Sequence, residues 1–218
     1  MCGRYALVLT GKIKELPFVE ISDQLELELP WECYNIAPTL KVPILDSDQS
    51  LKFSTWGMIP HWSKTPPKRP LINARAESAA TKPSFRVAYK NHRCAIPSSG
   101  FFEWTGPPKK RVPHFIGPAD DDLLWFAGLA SLWKGPSEIL SHTVLTRPAD
   151  ETRVAQLHDR CPVTLTADSL LPWLQGELDW EALKTNDPFD EPYRVTTDMN
   201  KADNDSPKNL EPVSEDPS

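Results

Sequence analysis

A chain of 218 residues, 39% hydrophobic and 25% charged, carries enough apolar side chains for one sizeable core and reads as a single domain. It lacks a basic start followed by an apolar run and any stretch of about 18 apolar residues, so neither export nor a membrane span is expected and the protein reads as intracellular. The net charge of −6 argues against a nucleic-acid binder until it is divided: residues 61–111 hold eleven Lys/Arg against Glu77 and Glu103, a local balance of +9, which suits phosphates whatever the total.

The chain opens Met1-Cys2-Gly3-Arg4. Removal of Met1, which a small second residue permits, would leave a cysteine bearing both a thiol and a free α-amine. An α-amine titrates near ~7.8 and a lysine near ~10.4, so the terminal amine is the readier nucleophile at neutral pH. It suits imine formation with an aldehyde, followed by thiol closure to a five-membered thiazolidine, or acyl transfer with the amine as base. A cysteine at position 2 is otherwise a small residue at a frayed end. The strand expected over Tyr5–Leu9 would pin it against the fold.

Thr10 is expected to cap a short helix to Leu16, ended by Pro17, and residues 20–29 read as a further helix. Tyr34 to Thr39 reads as a turn with a rigid proline, followed by strands over Val42–Leu45 and Phe53–Met58 and a loop through Trp62 to Pro70. Pro83 to Asn91 has the spacing of a short helix. Arg93–Pro97 and Phe101–Thr105 read as strands joined by a hairpin-like reversal at Ser98-Ser99-Gly100. Further strands are expected over Phe115-Ile116, Leu123–Trp133 and Ile139–Thr146, with a turn at residues 120–122. A helix from Pro148 to about Leu157, a short strand to Thr166, helices over Asp168–Leu174 and Asp179–Leu183, and a strand over Tyr193–Thr197 complete the chain. Many short strands, few short helices and no βαβ rhythm predict an α+β fold with a curved, partly barrel-like, mainly antiparallel sheet. Among the 23 prolines, short clusters such as Pro66-Pro67 and Pro107-Pro108 point to rigid loops rather than disorder, since they alternate with strand-like runs, while composition alone would call the last twenty residues disordered.

Cys2, Cys33, Cys94 and Cys161 form no CxxC pair, which argues against structural zinc and fits a reducing compartment; no metal or organic cofactor is implied. Glu103 sits among aromatic residues. Partly buried it would have a raised pKa and suit proton transfer; on an edge strand it would face water. His158 reads as a proton shuttle or a helix cap, and Asn73 as a substrate-orienting amide or a turn residue. Arg4, Arg75, Arg86 and Arg160 are phosphate-ligand types, and Trp62 is able to stack on a base or fill a core.

The blocks MCGRY, YNIAPT, WGMIPHW, INARAES, RCAIPSSGFFEW, FAGL and LHDRCP, in this order, resemble the SOS response-associated peptidase family, and RVTTDMN and NDSPKNLEP resemble its closing segment. The resemblance runs from Cys2 to about Pro212 and extends the expected domain to residues 1–212, with 213–218 as a loose tail. It implies a monomer that binds single-stranded DNA, preferably at a junction with duplex, and captures abasic sites covalently, with peptidase and lyase-like activities attached to the same site. Carried over residue by residue, Cys2 is the crosslinking residue and Asn73, Glu103 and His158 its catalytic partners. Arg4 and Arg75 match phosphate-contacting arginines, Arg86 more loosely, and Pro38, Thr39 and Trp62 match the parts that splay bases. The chain departs from the family pattern at Ser63, where a second aromatic is common, and at Cys161. Two other classes fit the residues: an N-terminal-nucleophile amidohydrolase that ignores DNA, and a non-covalent single-strand binder indifferent to Cys2.

Overall fold

The computed structural model describes residues 2–9, 20–21, 31–120 and 123–213. Its strands are β1 (Tyr5–Leu9), β2 (Glu20–Ile21), β3 (Trp31–Ile36), β4 (Lys41–Leu45), β5 (Ser50–Trp56), β6 (Asn73–Arg75) and β7 (Arg93–Ser98). There follow β8 (Gly100–Thr105), β9 (Val112–Ile116), β10 (Leu124–Lys134), β11 (Glu138–Pro148), β12 (Arg160–Pro162), β13 (Thr164–Leu165) and β14 (Tyr193–Arg194). Among the described residues three short helices, α1 (Ala76–Ala79), α2 (Arg86–Asn91) and α3 (Ala167–Leu174), complete an α+β fold dominated by strands.

One sheet runs β14-β9-β8-β1-β3, antiparallel throughout. The other runs β12-β11-β10-β7-β4-β5-β2, with β13 on β10 and β6 on β11. A parallel contact of two residue pairs, Ser141 with Thr55 and His142 with Trp56, brings β11 back to β5, so the curved sheet is partly ringed without being a barrel. Tyr5 joins the two sheets, its ring meeting Trp56 edge-on at 5.1 Å and Phe126 at 6.2 Å. β7 is buried at every position, which is why it reads as an apolar run rather than an alternation.

The Ser98-Ser99-Gly100 reversal is not a hairpin. β7 pairs with β10 and β4, whereas β8 pairs with β1 and β9, so the reversal is a corner where the chain changes sheets. Gly100 is required there: its φ is +144°, and a Cβ would lie 2.2 Å from the Phe115 ring. Tyr34 to Ile36 lie in β3 instead of a turn, and the turn proper is Ala37 to Leu40. The helix expected after Pro148 contracts to a 3-10 turn, Arg153–Gln156, the one expected near Asp179 is also 3-10, and the strand at Tyr193 is two residues long. β6 and α1 were not expected; a three-residue strand has no periodicity to read. Glu20 and Ile21 pair in parallel with β5 rather than starting a helix. The helix after Thr10, the rest of residues 22–29, residues 121–122 of the aspartate turn and residues 214–218 of the tail lie outside the described residues.

All four cysteines are free and buried. Among the described residues no helix is long and apolar enough to cross a membrane.

His142, on β11, is fully buried with Nδ1 3.0 Å from Ser54 Oγ, and burial pushes its pKa down to about 3. The folded chain therefore keeps it neutral where the unfolded chain binds a proton, so stability falls as pH drops from about 6.5 towards 3, by about 1.4 kcal/mol per unit. Urea unfolding across that window is expected to show His142→Gln with a shallower acid loss than the parent chain.

Candidate active site

The N-terminal segment is held by the sheet. Phe102 N–H donates to the Arg4 carbonyl at 3.0 Å, Tyr5 pairs with Phe101 and Ala6 with Gly100. Continuing that register places Gly3 across from Glu103, so residue 2 arrives beside the carboxyl group. Asn73, on β6, donates from Nδ2 to the Cys2 carbonyl at 2.8 Å. β6 is positioned by parallel pairing with β11, Asn73 opposite Val144. Asn73 Oδ1 is buried without a hydrogen-bond partner among the described residues and is available to an N–H.

Cys2 is fully buried. Its thiol is pushed well above the ordinary range, first by burial and then by the negative charge of Glu103. Glu103 is 4% exposed, on β8 opposite His114. Burial raises its pKa, while the positive amino terminus and His158 pull it back. The expectation of a partly buried acid, rather than an edge residue in water, is the one the fold realises. His158 is partly exposed and follows the 3-10 turn, its N–H donating to Val154 O at 3.0 Å. Its Nδ1 accepts from the Arg160 N–H at 3.0 Å. Cys2, Asn73, Glu103 and His158, drawn from four parts of the chain, thus converge. A thiol, an amide, a high-pKa carboxyl and an imidazole around one chain terminus suit carbonyl chemistry in which protons pass between neighbouring groups.

The arginines divide. Arg4 donates from Nη1 to Asn35 Oδ1 at 2.5 Å and to Met199 O at 3.3 Å, and burial lowers its pKa. Arg75 and Arg86 are exposed. Arg160 is 8% exposed and forks onto Glu77, Nη1 to Oε1 at 2.8 Å and Nη2 to Oε2 at 2.9 Å, with Nε reaching Thr146 Oγ1 at 3.3 Å and Nη2 also reaching Thr146 O. Four of its five N–H groups are thereby engaged within the protein, which makes it chiefly an internal tie and not an open phosphate ligand.

Trp62 is 57% exposed, its Nε1 donating to Pro83 O at 3.2 Å, which favours a stacking surface over a core role. Its loop is held by Trp133 Nε1 donating to Ser63 O at 2.7 Å and by the Met58–Leu71 bridge. Ser63, lacking an aromatic ring, closes its own turn through Oγ to Thr65 O at 2.6 Å. Pro38 and Thr39 are the central pair of the Ala37–Leu40 turn. Thr39 has φ +77°, a conformation that a β-branched residue adopts only under strain, and is exposed beside Leu40.

Sequence reasoning did not single out a groove of about 600 Å³ lined by Arg4, Trp104, Lys109, Lys110, Arg111 and Asn200. Trp104 Nε1 donates to Asn200 Oδ1 at 2.6 Å, and Asn200 Nδ2 to Arg111 O at 3.4 Å. The +9 segment contained the signal, but its cations fall in separate places, some near Trp62 and some on this β8–β9 connection.

The family model described as SOS response associated peptidase (SRAP) matches residues 1–202. The chain belongs to this family. It is 33% identical over 230 residues to the abasic site processing protein YoqW of Bacillus subtilis, covering 97% of this chain and 99% of that one. It is 32% identical to abasic site processing protein YedK of Escherichia coli, over 82% of this chain and 81% of the other, and 28% identical to abasic site processing protein HMCES of Xenopus tropicalis, over 80% and 64%. A crystal structure of a Bacteroides thetaiotaomicron protein superposes with a TM-score of 0.80 at 23% identity, covering 98% of this chain and 100% of that one, and shares the fold.

Because burial raises the Glu103 pKa, its contribution to stability is fully present below about pH 4.3 and is lost as pH rises through the folded-state value. Glu103→Gln is therefore expected to melt higher than the parent chain at pH 7, with the gain disappearing at pH 4 and below, in thermal melts followed by circular dichroism.

Proposed function

We propose that, once Met1 is removed, the chain binds single-stranded DNA as a monomer and captures abasic sites as a thiazolidine on Cys2. The observation that carries this reading is the Asn73 to Cys2 hydrogen bond beside Glu103: it fixes the backbone of residue 2, so that the amine freed by cleavage starts where a carboxyl and an imidazole are already assembled. The names of the relatives, abasic site processing proteins, support the same substrate.

An abasic deoxyribose is mostly a closed hemiacetal. A base takes its hydroxyl proton, the ring C–O bond breaks and the aldehyde appears; Glu103 and His158 serve as base and acid. The neutral α-amine adds to the carbonyl carbon, a protonated neighbour supplies the proton with which water leaves, and an iminium remains. The buried thiol is neutral at this point, since burial and Glu103 both oppose its ionisation. The iminium charge reverses that balance: sulfur adds to the carbon, its proton passes to the carboxylate, and nitrogen regains its lone pair. The amine step thus precedes and triggers the sulfur step. A thiazolidine carbon no longer acts as an electron sink, so β-elimination stops and the strand stays intact. Asn73 Oδ1 accepts from the amine, Trp62 and the Pro38-Thr39 turn separate bases, and Arg4, Arg75 and the Lys109 to Arg111 groove hold flanking phosphates.

Met1-free protein mixed with a single-stranded oligonucleotide bearing one abasic site is expected to give a band that survives denaturation, absent with intact DNA and with Cys2→Ala. Failure of that band with a confirmed Cys2 terminus sinks the crosslinking reading. Replacing Lys109, Lys110 and Arg111 together with alanine is expected to weaken binding and reduce the slope of log affinity against log salt by about 0.7 per lost phosphate contact, while leaving the reaction at saturating DNA unchanged.

A further inference from the structure

The carboxylate of Glu77 is tied to the imidazole of His158 through a single residue, Arg160. Glu77 lies in the first turn of α1, which directly follows β6, and its two oxygens take both prongs of a guanidinium that is 8% exposed. The guanidinium is further held by Thr146 on β11, and the backbone of Arg160 belongs to β12, which pairs with the end of β11. The N–H of this same residue donates to His158 Nδ1.

His158 Nδ1 has two suitors. Asp159 Oδ1 lies 2.8 Å away and would accept a proton from it; the Arg160 N–H at 3.0 Å instead requires its lone pair. Both cannot be satisfied at once, because a ring nitrogen either carries hydrogen or accepts one. The Asp159 side chain is 86% exposed, so its claim is screened, whereas the Arg160 claim is fixed by a strand and a bidentate pair. Glu103 is a further charged neighbour, and His158 lowers its pKa.

We propose that Glu77 is a positioning residue: by anchoring Arg160 it keeps His158 neutral with Nδ1 as acceptor and the proton on Nε2, the nitrogen then left to exchange protons with substrate. This rests on the proposed reaction for its catalytic meaning, though not for its geometry. Glu77 makes no contact with Cys2 or the sugar in this scheme. Its removal leaves a buried guanidinium without its carboxylate, frees the Arg160 backbone to shift, and lets Asp159 claim Nδ1.

The test is made on Met1-free protein without DNA. Proton–nitrogen correlation spectra of the imidazoles, with the His158 signal assigned by its loss in His158→Gln, are expected to show the Nε2–H form at neutral pH. Glu77→Ala is expected to move the signal towards Nδ1–H or the protonated ring, while Asp159→Ala, which removes the competing acceptor, keeps the Nε2–H form. Crosslinking to the abasic oligonucleotide is expected to slow about tenfold in Glu77→Ala, part of the usual share of a proton-transfer residue, and to recover partly in Glu77→Gln, which keeps one acceptor for the fork. An Nδ1–H ring in the parent chain, or a His158 signal unmoved in folded Glu77→Ala, overturns the proposal. If circular dichroism shows Glu77→Ala unfolded, Glu77→Gln decides by the same criteria. A parent chain that shows the expected tautomer yet never crosslinks defeats the proposed function and leaves the positioning result standing.

Discussion

A chain terminus is ordinarily the least ordered part of a fold, and this structure depends on reversing that. β1 begins three residues after Cys2 and is flanked on both sides, by β3 and β8, so the backbone at Arg4 is already in a sheet hydrogen bond. Asn73 then fixes the carbonyl of Cys2 itself. Closing a bond between residue 2 and residue 73 is worth its entropy only because β6 is immobilised by β11; a loop asparagine would lose that competition. The sheets can therefore be regarded as scaffolding for one terminal residue, with Tyr5 between Trp56 and Phe126 locking the strand that carries it.

The burial that orders the terminus also sets its chemistry. Cys2 and Glu103 lie where ionising either makes ionising the other harder, so the pair is disposed to hold protons rather than charges. In the proposed reaction the α-amine freed by removal of Met1 would act as the nucleophile beside these protonated groups, since an α-amine ordinarily titrates near ~7.8. Arg160 and Glu77 nearby do the opposite: their charges are kept because each is held by the other in bidentate geometry.

Much of the fold was legible where side-chain pattern is enough. Tyr5–Leu9 and the strand over Arg93 to Pro97 are legible from their side-chain pattern, the helix ending at Asn91 from its apolar spacing and proline start, although it begins at Arg86 rather than Pro83, and Glu103 from its place among aromatic residues. What pattern could not give was pairing. Ser98-Ser99-Gly100 has turn chemistry, and nothing local says that its two strands belong to different sheets. Arg160 is plainly a cation in the sequence, but its partner lies 83 residues away and converts it from a phosphate ligand into an internal tie. Lys109 to Arg111 were counted in the basic segment, yet only the β8–β9 pairing shows that they face Arg4 and Trp104 rather than Trp62.

The closing segment shows the same limit from the other end. By composition residues 199–213 look disordered, and in isolation a polar stretch of that kind has too little apolar area to offset its ordering entropy. Here burial of Met199 and Asn209 and one buried amide of β3 hold it. Asn35, 1% exposed on β3, donates from Nδ2 to the carbonyls of Met199, Lys201 and Asn204 at 3.1, 2.9 and 2.7 Å, and accepts Arg4 Nη1 on its oxygen. The Nδ2 hydrogens are shared among three carbonyls of the segment while the oxygen accepts the charged donor, so a single amide joins Arg4 to the segment. Tyr34 N–H on Asp205 and Val213 N–H on Arg194 O fasten the flanks. The end of the chain is thus coupled through one amide to the arginine two residues from Cys2, and its polarity, which reads as disorder, is what that amide binds.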